Sequence, residues 1–262
     1  MNQIISSILI VGGIGLIFGL ILAFASFIFK VEEDERIPLV TSELPGANCG
    51  ACGYAGCSAY ATAVVEGTAP LNGCSVGKTA VAEKIAEIMG TKVEAVEETT
   101  AVLLCAGTCD TAVDKYEYAG ISSCVAANKL SSGQKLCEYG CLGFGDCKKV
   151  CDFDAISIEN GIANIDSEKC TSCGKCVKAC PKAIIKILPK AKKYVVKCSS
   201  KASGQITTKS CKVGCIACRI CEKNCPVGAI KVNDNCAVID YSLCTECGIC
   251  VEKCPKKIIV NK

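Results

Sequence analysis

The sequence predicts an α+β chain: an N-terminal transmembrane helix, a small helical domain, and two tandem copies of one compact module. Three observations carry this. Residues 4–29 contain no charge; a glycine-spaced cysteine loop occupies 49–57; and the C-terminal half repeats one cysteine run three times.

The chain has 262 residues, 26 cysteines, no histidine and no tryptophan. Absence of histidine removes Cys/His zinc sites, histidine-ligated haem and histidine-based nucleophile arrangements. Thiolates and what they bind must supply the chemistry. So much cysteine reads either as a disulfide scaffold or as metal ligation. Spacing decides between them. Small metal-bound modules fold around their sites with little apolar core, so several fit in this length.

The uncharged run from Ile4 to Phe29 would span roughly 39 Å as a helix, enough to cross the ~30 Å hydrocarbon core with tilt. No Lys or Arg precedes it, and Lys30 and Arg36 follow. The positive-inside rule puts the N-terminus outside and the rest on the cytoplasmic side, a single-pass cell-membrane topology. Without a basic n-region, and with too long an apolar run, it does not read as a cleaved signal. Gly12, Gly15 and Gly19 recur along one face, and the Gly15/Gly19 pair allows close approach of a partner helix. Charge is split beyond it. Residues 31–104 hold 11 acidic and 4 basic side chains, and residues 105–262 hold 15 acidic and 24 basic. The opposite signs point to different partners.

Cys49, Cys52 and Cys57 are interleaved with Gly50, Gly53 and Gly56, and Cys74 lies beyond a short helix expected from Ser58 to Glu66. The glycines permit a tight loop with amides free to point at sulfur. Three thiolates from such a loop can cap three corners of a [4Fe–4S] cubane, with Cys74 at the fourth. Four-cysteine zinc, the alternative, normally uses two separated C-x2-C knuckles. A second helix is expected from Gly77 to Met89, ended by Gly90.

Cys170, Cys173, Cys176 and Cys180 read C-x2-C-x2-C-x3-C and precede Pro181. Cys215, Cys218, Cys221 and Cys225 do the same before Pro226, as do Cys244, Cys247, Cys250 and Cys254 before Pro255. This is the bacterial ferredoxin run, whose fourth cysteine serves the other cluster of a pair. A variant copy is Cys137, Cys141, Cys147 and Cys151. Residues 155–166 align without gaps on 229–240, each reading as a hairpin, with Asn160-Gly161 as a turn signal. Residues 137–180 and 211–254 are therefore two copies of one two-cluster unit. Crossed ligation predicts Cys137/Cys141/Cys147 with Cys180, Cys151 with Cys170/Cys173/Cys176, Cys215/Cys218/Cys221 with Cys254, and Cys225 with Cys244/Cys247/Cys250. The repeat alignment sets Cys211 on Cys137, Cys215 on Cys141 and Cys218 opposite Phe144, so Cys211 competes with Cys218 as a ligand. The C-x2-C-x2-C turn favours Cys218.

Five [4Fe–4S] clusters then use 20 cysteines. Of the remainder, Cys236 aligns with Ile162 and reads as a core hydrophobe. Cys105, Cys109, Cys124, Cys198 and Cys211 read as buried free thiols, with a further metal as the alternative. Expected segments are the anchor at 1–30, the four-iron domain at 31–100, a connecting segment at 101–135, and ferredoxin-like modules at 136–197 and 198–262.

The helix, the Cys49–Cys74 loop and the paired ferredoxin runs together resemble the B subunits of Rnf ion-translocating ferredoxin:NAD oxidoreductases, over nearly the whole chain. The Cys49–Cys74 segment alone also resembles the four-iron domain of corrinoid iron–sulfur proteins. The Rnf resemblance implies a subunit of a translocase that takes electrons from reduced ferredoxin, reduces NAD and moves Na+ or H+. An anchored electron-transfer subunit of a hydrogenase or formate-type dehydrogenase, without ion pumping, is the alternative. No phosphate-binding glycine loop follows a strand, so no NAD or flavin site and no substrate-converting residue is expected on this chain alone. Expected partners are other subunits of a membrane complex, some meeting the Gly12/Gly15/Gly19 face, and an acidic soluble ferredoxin drawn to Lys148, Lys149, Lys175, Lys178 and Lys182. No nucleic acid is expected.

Overall fold

The structure is a computed structural model that describes residues 12–24, 34–92 and 97–262. Residues 12–24 are helical (α1). The expected membrane span also covers 4–11 and 25–29, which lie outside the described residues. Among the described residues no helix is long and apolar enough to cross a membrane.

The next unit packs three helices: α2 (Arg36–Glu43), α3 (Cys57–Val65) and α4 (Lys78–Met89). Val40, Tyr60, Val64 and Ile85 are fully buried between them. Gly90 ends α4 in the left-handed conformation, as its place after the apolar stripe predicts. Tyr60 is buried for its ring but uses its hydroxyl. It donates to the Pro70 carbonyl at 2.7 Å and accepts from the Gly73 amide at 2.9 Å. These two bonds fix the turn that delivers Cys74.

Two modules follow, each of two antiparallel strand pairs and two short helices. In the first, β1 (Thr99–Leu103) pairs with β4 (Ile185–Pro189), and β2 (Ile156–Glu159) pairs with β3 (Ile162–Ile165). In the second, β5 (Tyr194–Val196) pairs with β8 (Ile259–Asn261), and β6 (Ile230–Asn233) pairs with β7 (Cys236–Ile239). Both inner pairs are hairpins closed by two residues with positive φ, Asn160-Gly161 and Asp234-Asn235. Helices α6 (Asp146–Lys149) and α7 (Lys175–Ala179) serve the first module, and α9 (Ile220–Lys223) and α10 (Ile249–Glu252) the second.

The outer strands move two expected boundaries. β1 falls across the 100/101 limit and belongs to the first module, while β5 lies before residue 198 yet pairs only within the second. Each module's last strand would otherwise expose a bare edge, and the residues just upstream of each cysteine array cover it. The connecting segment also has its own structure. α5 (Cys124–Lys129) starts at Ser123, whose hydroxyl accepts from the Ala126 amide. Asp146 then ties α5 to α6, accepting from Ser123 Oγ at 2.8 Å and from the Val125 amide at 3.0 Å. α8 (Gly204–Ser210) plays the corresponding spacer role before the second array.

Replacing Tyr60 with Phe keeps the ring and removes both hydroxyl bonds. Opening of the 70–74 turn is expected to become easier by about 1–3 kcal/mol, read as faster hydrogen exchange at the Gly73 amide.

Candidate metal centres

In the first unit, Cys49, Cys52, Cys57 and Cys74 line one cavity of about 340 Å³. Asn48 holds the loop shut: its side-chain oxygen accepts from the Cys57 amide at 2.8 Å. A Cβ at position 56 would meet that same oxygen at 2.8 Å, so the glycine there is a matter of space. The Gly77 amide points at Cys74 Sγ, 3.4 Å away.

Each C-x2-C-x2-C turn is shaped by two residues with positive φ, one on each side of the middle cysteine. They are Ser172 and Gly174, Ala217 and Arg219, and Glu246 and Gly248. The variant loop keeps the pattern with Gly143 and Gly145. Such alternation turns successive amides toward one point and makes a nest for negative charge. A separate set of amides acts on Cys225. Burial opposes its ionisation, but the amides of Val227, Ile230, Ala229 and Gly228 face its sulfur and hold the thiol below its usual range.

Cys151, Cys170, Cys173 and Cys176 line a second cavity, of about 330 Å³, and the Ala101 amide of β1 donates to Cys170 Sγ at 3.4 Å. Cys215, Cys218, Cys221 and Cys254 line a third, of about 350 Å³. Cys244, Cys247 and Cys225 all lie near enough to Cys250 to oppose its ionisation, after burial, which is the larger cause. Cys218 and Cys247 are exposed at the surface.

The variant array departs from expectation. The cavity of about 340 Å³ that holds Cys141, Cys147 and Cys180 takes its fourth sulfur from Cys124. Burial pushes the Cys147 thiol up to about 12, with Cys141, Cys124 and Cys180 adding to it. Cys137, expected in this group, instead lines a different cavity with Cys105, Cys198 and Cys211. The physical reason lies in the repeat. Phe144 stands where the second module has Cys218, so this loop carries one cysteine fewer, and the Asp146 tether brings α5 and Cys124 across to the same pocket. Phe144 opposite Cys218 was the one mark in the sequence of a missing sulfur. Cys211 and Cys218, the two candidates of the sequence, line separate cavities. Cys236 is buried in the second module, and its thiol donates to the Cys198 carbonyl at 3.2 Å. Cys109 is exposed.

Among the described residues no three Cys, Asp or Glu side chains converge on a point as the ligands of a single ion do. A zinc ion draws its thiolates to about 2.3 Å from one centre. Here four cysteines from separate stretches of chain line one pocket, a spacing that suits the corners of a cubane. Grouped cysteines with amides directed at sulfur fit iron–sulfur clusters.

Comparison with known families agrees. A Fe-S cluster family model matches residues 44–76, a 4Fe-4S binding domain model matches 163–186, and a 4Fe-4S dicluster domain model matches 214–259. Fold and sites together define an iron–sulfur protein built on ferredoxin modules. The B subunit of the Na(+)-translocating ferredoxin:NAD(+) oxidoreductase complex of Acetobacterium woodii is 49% identical over 99% of this chain and 78% of its own length. The B subunit of the ion-translocating oxidoreductase complex of Methanosarcina acetivorans is 42% identical over 98% of each chain. The B subunit of the proton-translocating ferredoxin:NAD(+) oxidoreductase complex of Clostridium ljungdahlii is 47% identical over 97% of this chain and 91% of its own. The chain belongs to this family of ion-translocating oxidoreductase B subunits.

Cys124→Ala is expected to remove or convert one cluster of the full chain, seen as a loss of about one to four irons or a new three-iron EPR signal. Cys109→Ala is expected to leave both iron content and spectrum unchanged.

Proposed function

We propose that this chain carries single electrons from reduced ferredoxin to membrane partners of a complex that reduces NAD and moves Na+ or H+. The observation that carries the reading is the repetition of four-cysteine pockets through a chain that belongs to this family. Five [4Fe–4S] clusters are assigned to Cys49/Cys52/Cys57/Cys74, Cys124/Cys141/Cys147/Cys180, Cys151/Cys170/Cys173/Cys176, Cys215/Cys218/Cys221/Cys254 and Cys225/Cys244/Cys247/Cys250. When bound, each cluster supplies one-electron redox chemistry, tuned by hydrogen bonds to sulfur and by burial.

The protein's own work is to hold, insulate and connect these sites. The two sites of each module share one core, and Ala101 links β1 to Cys170. Lys175, beside Cys173, also senses the charge of Cys49. That proximity supports an exit toward the membrane through the Cys49–Cys74 end.

Entry is assigned to the basic ferredoxin half. Of the five lysines named for this role, Lys175 pairs with Asp152, Lys149 with Asp146 at 3.2 Å, and Lys182 donates to the Ser132 and Glu138 carbonyls. Lys148 and Lys178 are exposed. Exposed Cys218 and Cys247, with Arg219 beside the first, offer the shortest route inward from an acidic donor.

The anchor reading for 4–29 is supported by α1. Leu16, Phe18, Leu20 and Leu22 are all more than 60% exposed, an apolar surface that lipid or a partner helix would cover. The Gly12/Gly15/Gly19 face is assigned to that partner, and the cluster domains to the cytoplasmic side. NAD and flavin chemistry is assigned to other subunits.

Stopped-flow reduction of the full chain by reduced ferredoxin tests the entry route. The second-order rate is expected to fall as ionic strength rises from about 0.01 to 0.15 M, where the Debye length shrinks from about 30 to 8 Å. A rate indifferent to salt rejects electrostatic docking on the basic half. Purified chain that is colourless, or that holds zinc in place of iron, rejects the function.

A further inference from the structure

Cys105, Cys137, Cys198 and Cys211 line a cavity of about 400 Å³ between the two modules. All four lie outside the family matches at 44–76, 163–186 and 214–259. We propose that they hold a sixth [4Fe–4S] cluster, which joins the two ferredoxin modules into one electrical path. The proposal rests on reading the other four-cysteine cavities as cluster sites.

Repeat symmetry is the first argument. After β1, the Leu104 amide donates to the Ile184 carbonyl at 2.8 Å; after β5, the Lys197 amide donates to the Ile258 carbonyl at 2.9 Å. Ile184 and Ile258 each stand four residues beyond the last cysteine of their module, Cys180 and Cys254. Cys105 and Cys198 come next in the chain, two residues past their strands, and are thus equivalent. Cys137 and Cys211 are equivalent in the repeat alignment. Each module gives the same two sulfurs to one shared site. Four unrelated core thiols have no reason to meet in pairs across a pseudo-twofold.

The second argument is the surroundings. Amides of Gly107 and Cys141 donate to Cys105 Sγ, each at 3.4 Å, and the Cys215 amide donates to Cys198 Sγ at 3.3 Å. Donors aimed at sulfur suit thiolates. Lys135 and Lys197 also line the cavity. Lys135 is 3% exposed, and its Nζ bonds only to the Gly107 and Gly161 carbonyls. Among the described residues no carboxylate pairs with it. A buried cation without a counter-charge is costly. A cubane with four thiolate ligands is an anion and supplies that counter-charge.

The third argument is position. Cys141 belongs to the nearest site of the first module and Cys215 to the nearest site of the second. Both send their backbone amides to sulfurs of the shared cavity. A one-electron carrier here has a neighbour on each side. The modules are also stitched together around it, through Val113 N to Ser210 O at 3.0 Å, Lys212 N to Thr111 O at 2.8 Å and Ser199 Oγ to Leu104 O at 2.9 Å.

Iron and acid-labile sulfide counted on the full chain, purified without oxygen, test the proposal without any variant. About 24 of each per chain are expected from six clusters, against about 20 from five. A count near 20 overturns this inference and leaves the five-cluster function standing; a chain with zinc or no iron overturns both. Cys105→Ala/Cys198→Ala in the same chain is expected to lose about four irons, and to split ferredoxin-driven reduction into a fast and a slow phase, whereas Cys109→Ala keeps one phase. An unchanged iron count in the double variant sinks the site, and a single fast phase after loss of those irons sinks the bridging role.

Discussion

Burying a thiol is cheap while it stays neutral, and expensive once it must ionise beside three others. Cys147, Cys176 and Cys221 are all driven upward by burial first, with their cavity neighbours adding to it. Without positive iron to offset it, gathering four thiols in one place is a poor exchange for packed methyl groups. Metal binding and folding are therefore one process here. The architecture of the two modules follows from it: paired strands of three to five residues, helices α6, α7, α9 and α10 of four or five residues, and apolar cores that extend onto cysteine side chains. These elements are too short to be stable apart from what they surround.

Local geometry decides how much of this is legible in the chain. The runs around Cys173, Cys218 and Cys247 declare themselves because one turn sets three sulfurs, and spacing encodes a turn. The hairpins are legible for the same reason, through Asn160-Gly161 and its ungapped partner. Cys124 is not, because nothing near it in sequence resembles a ligand run; its place is fixed by Asp146 reaching across from another helix. Cys105 and Cys198 are hidden more thoroughly. Their equivalence appears only when β1 and β5 are seen against β4 and β8, contacts that span more than 60 residues of chain. Residues that meet by packing leave no periodic trace.

Charge shows the same division. The basic excess after residue 104 is visible in composition, but composition cannot say which lysines face water. Lys182 and Lys175 are engaged by partners within the chain, carbonyls and Asp152, and Lys135 is engaged at the joint between modules. The surface field left for a partner is smaller than the count of basic residues implies, and the interior field acting on the sulfurs is larger.

The shared cavity has a further consequence in time. Cys137 and Cys211 are 74 residues apart in the chain. A ribosome adding about 5–20 residues each second delivers the later pair on the order of 4–15 s after the earlier one. During synthesis the first half thus waits with two unclaimed sulfurs, Cys105 and Cys137, at its open edge. Oxygen or a stray metal arriving in that interval meets a half-built socket, so the joint between the modules is the step at which biogenesis of this protein is most vulnerable.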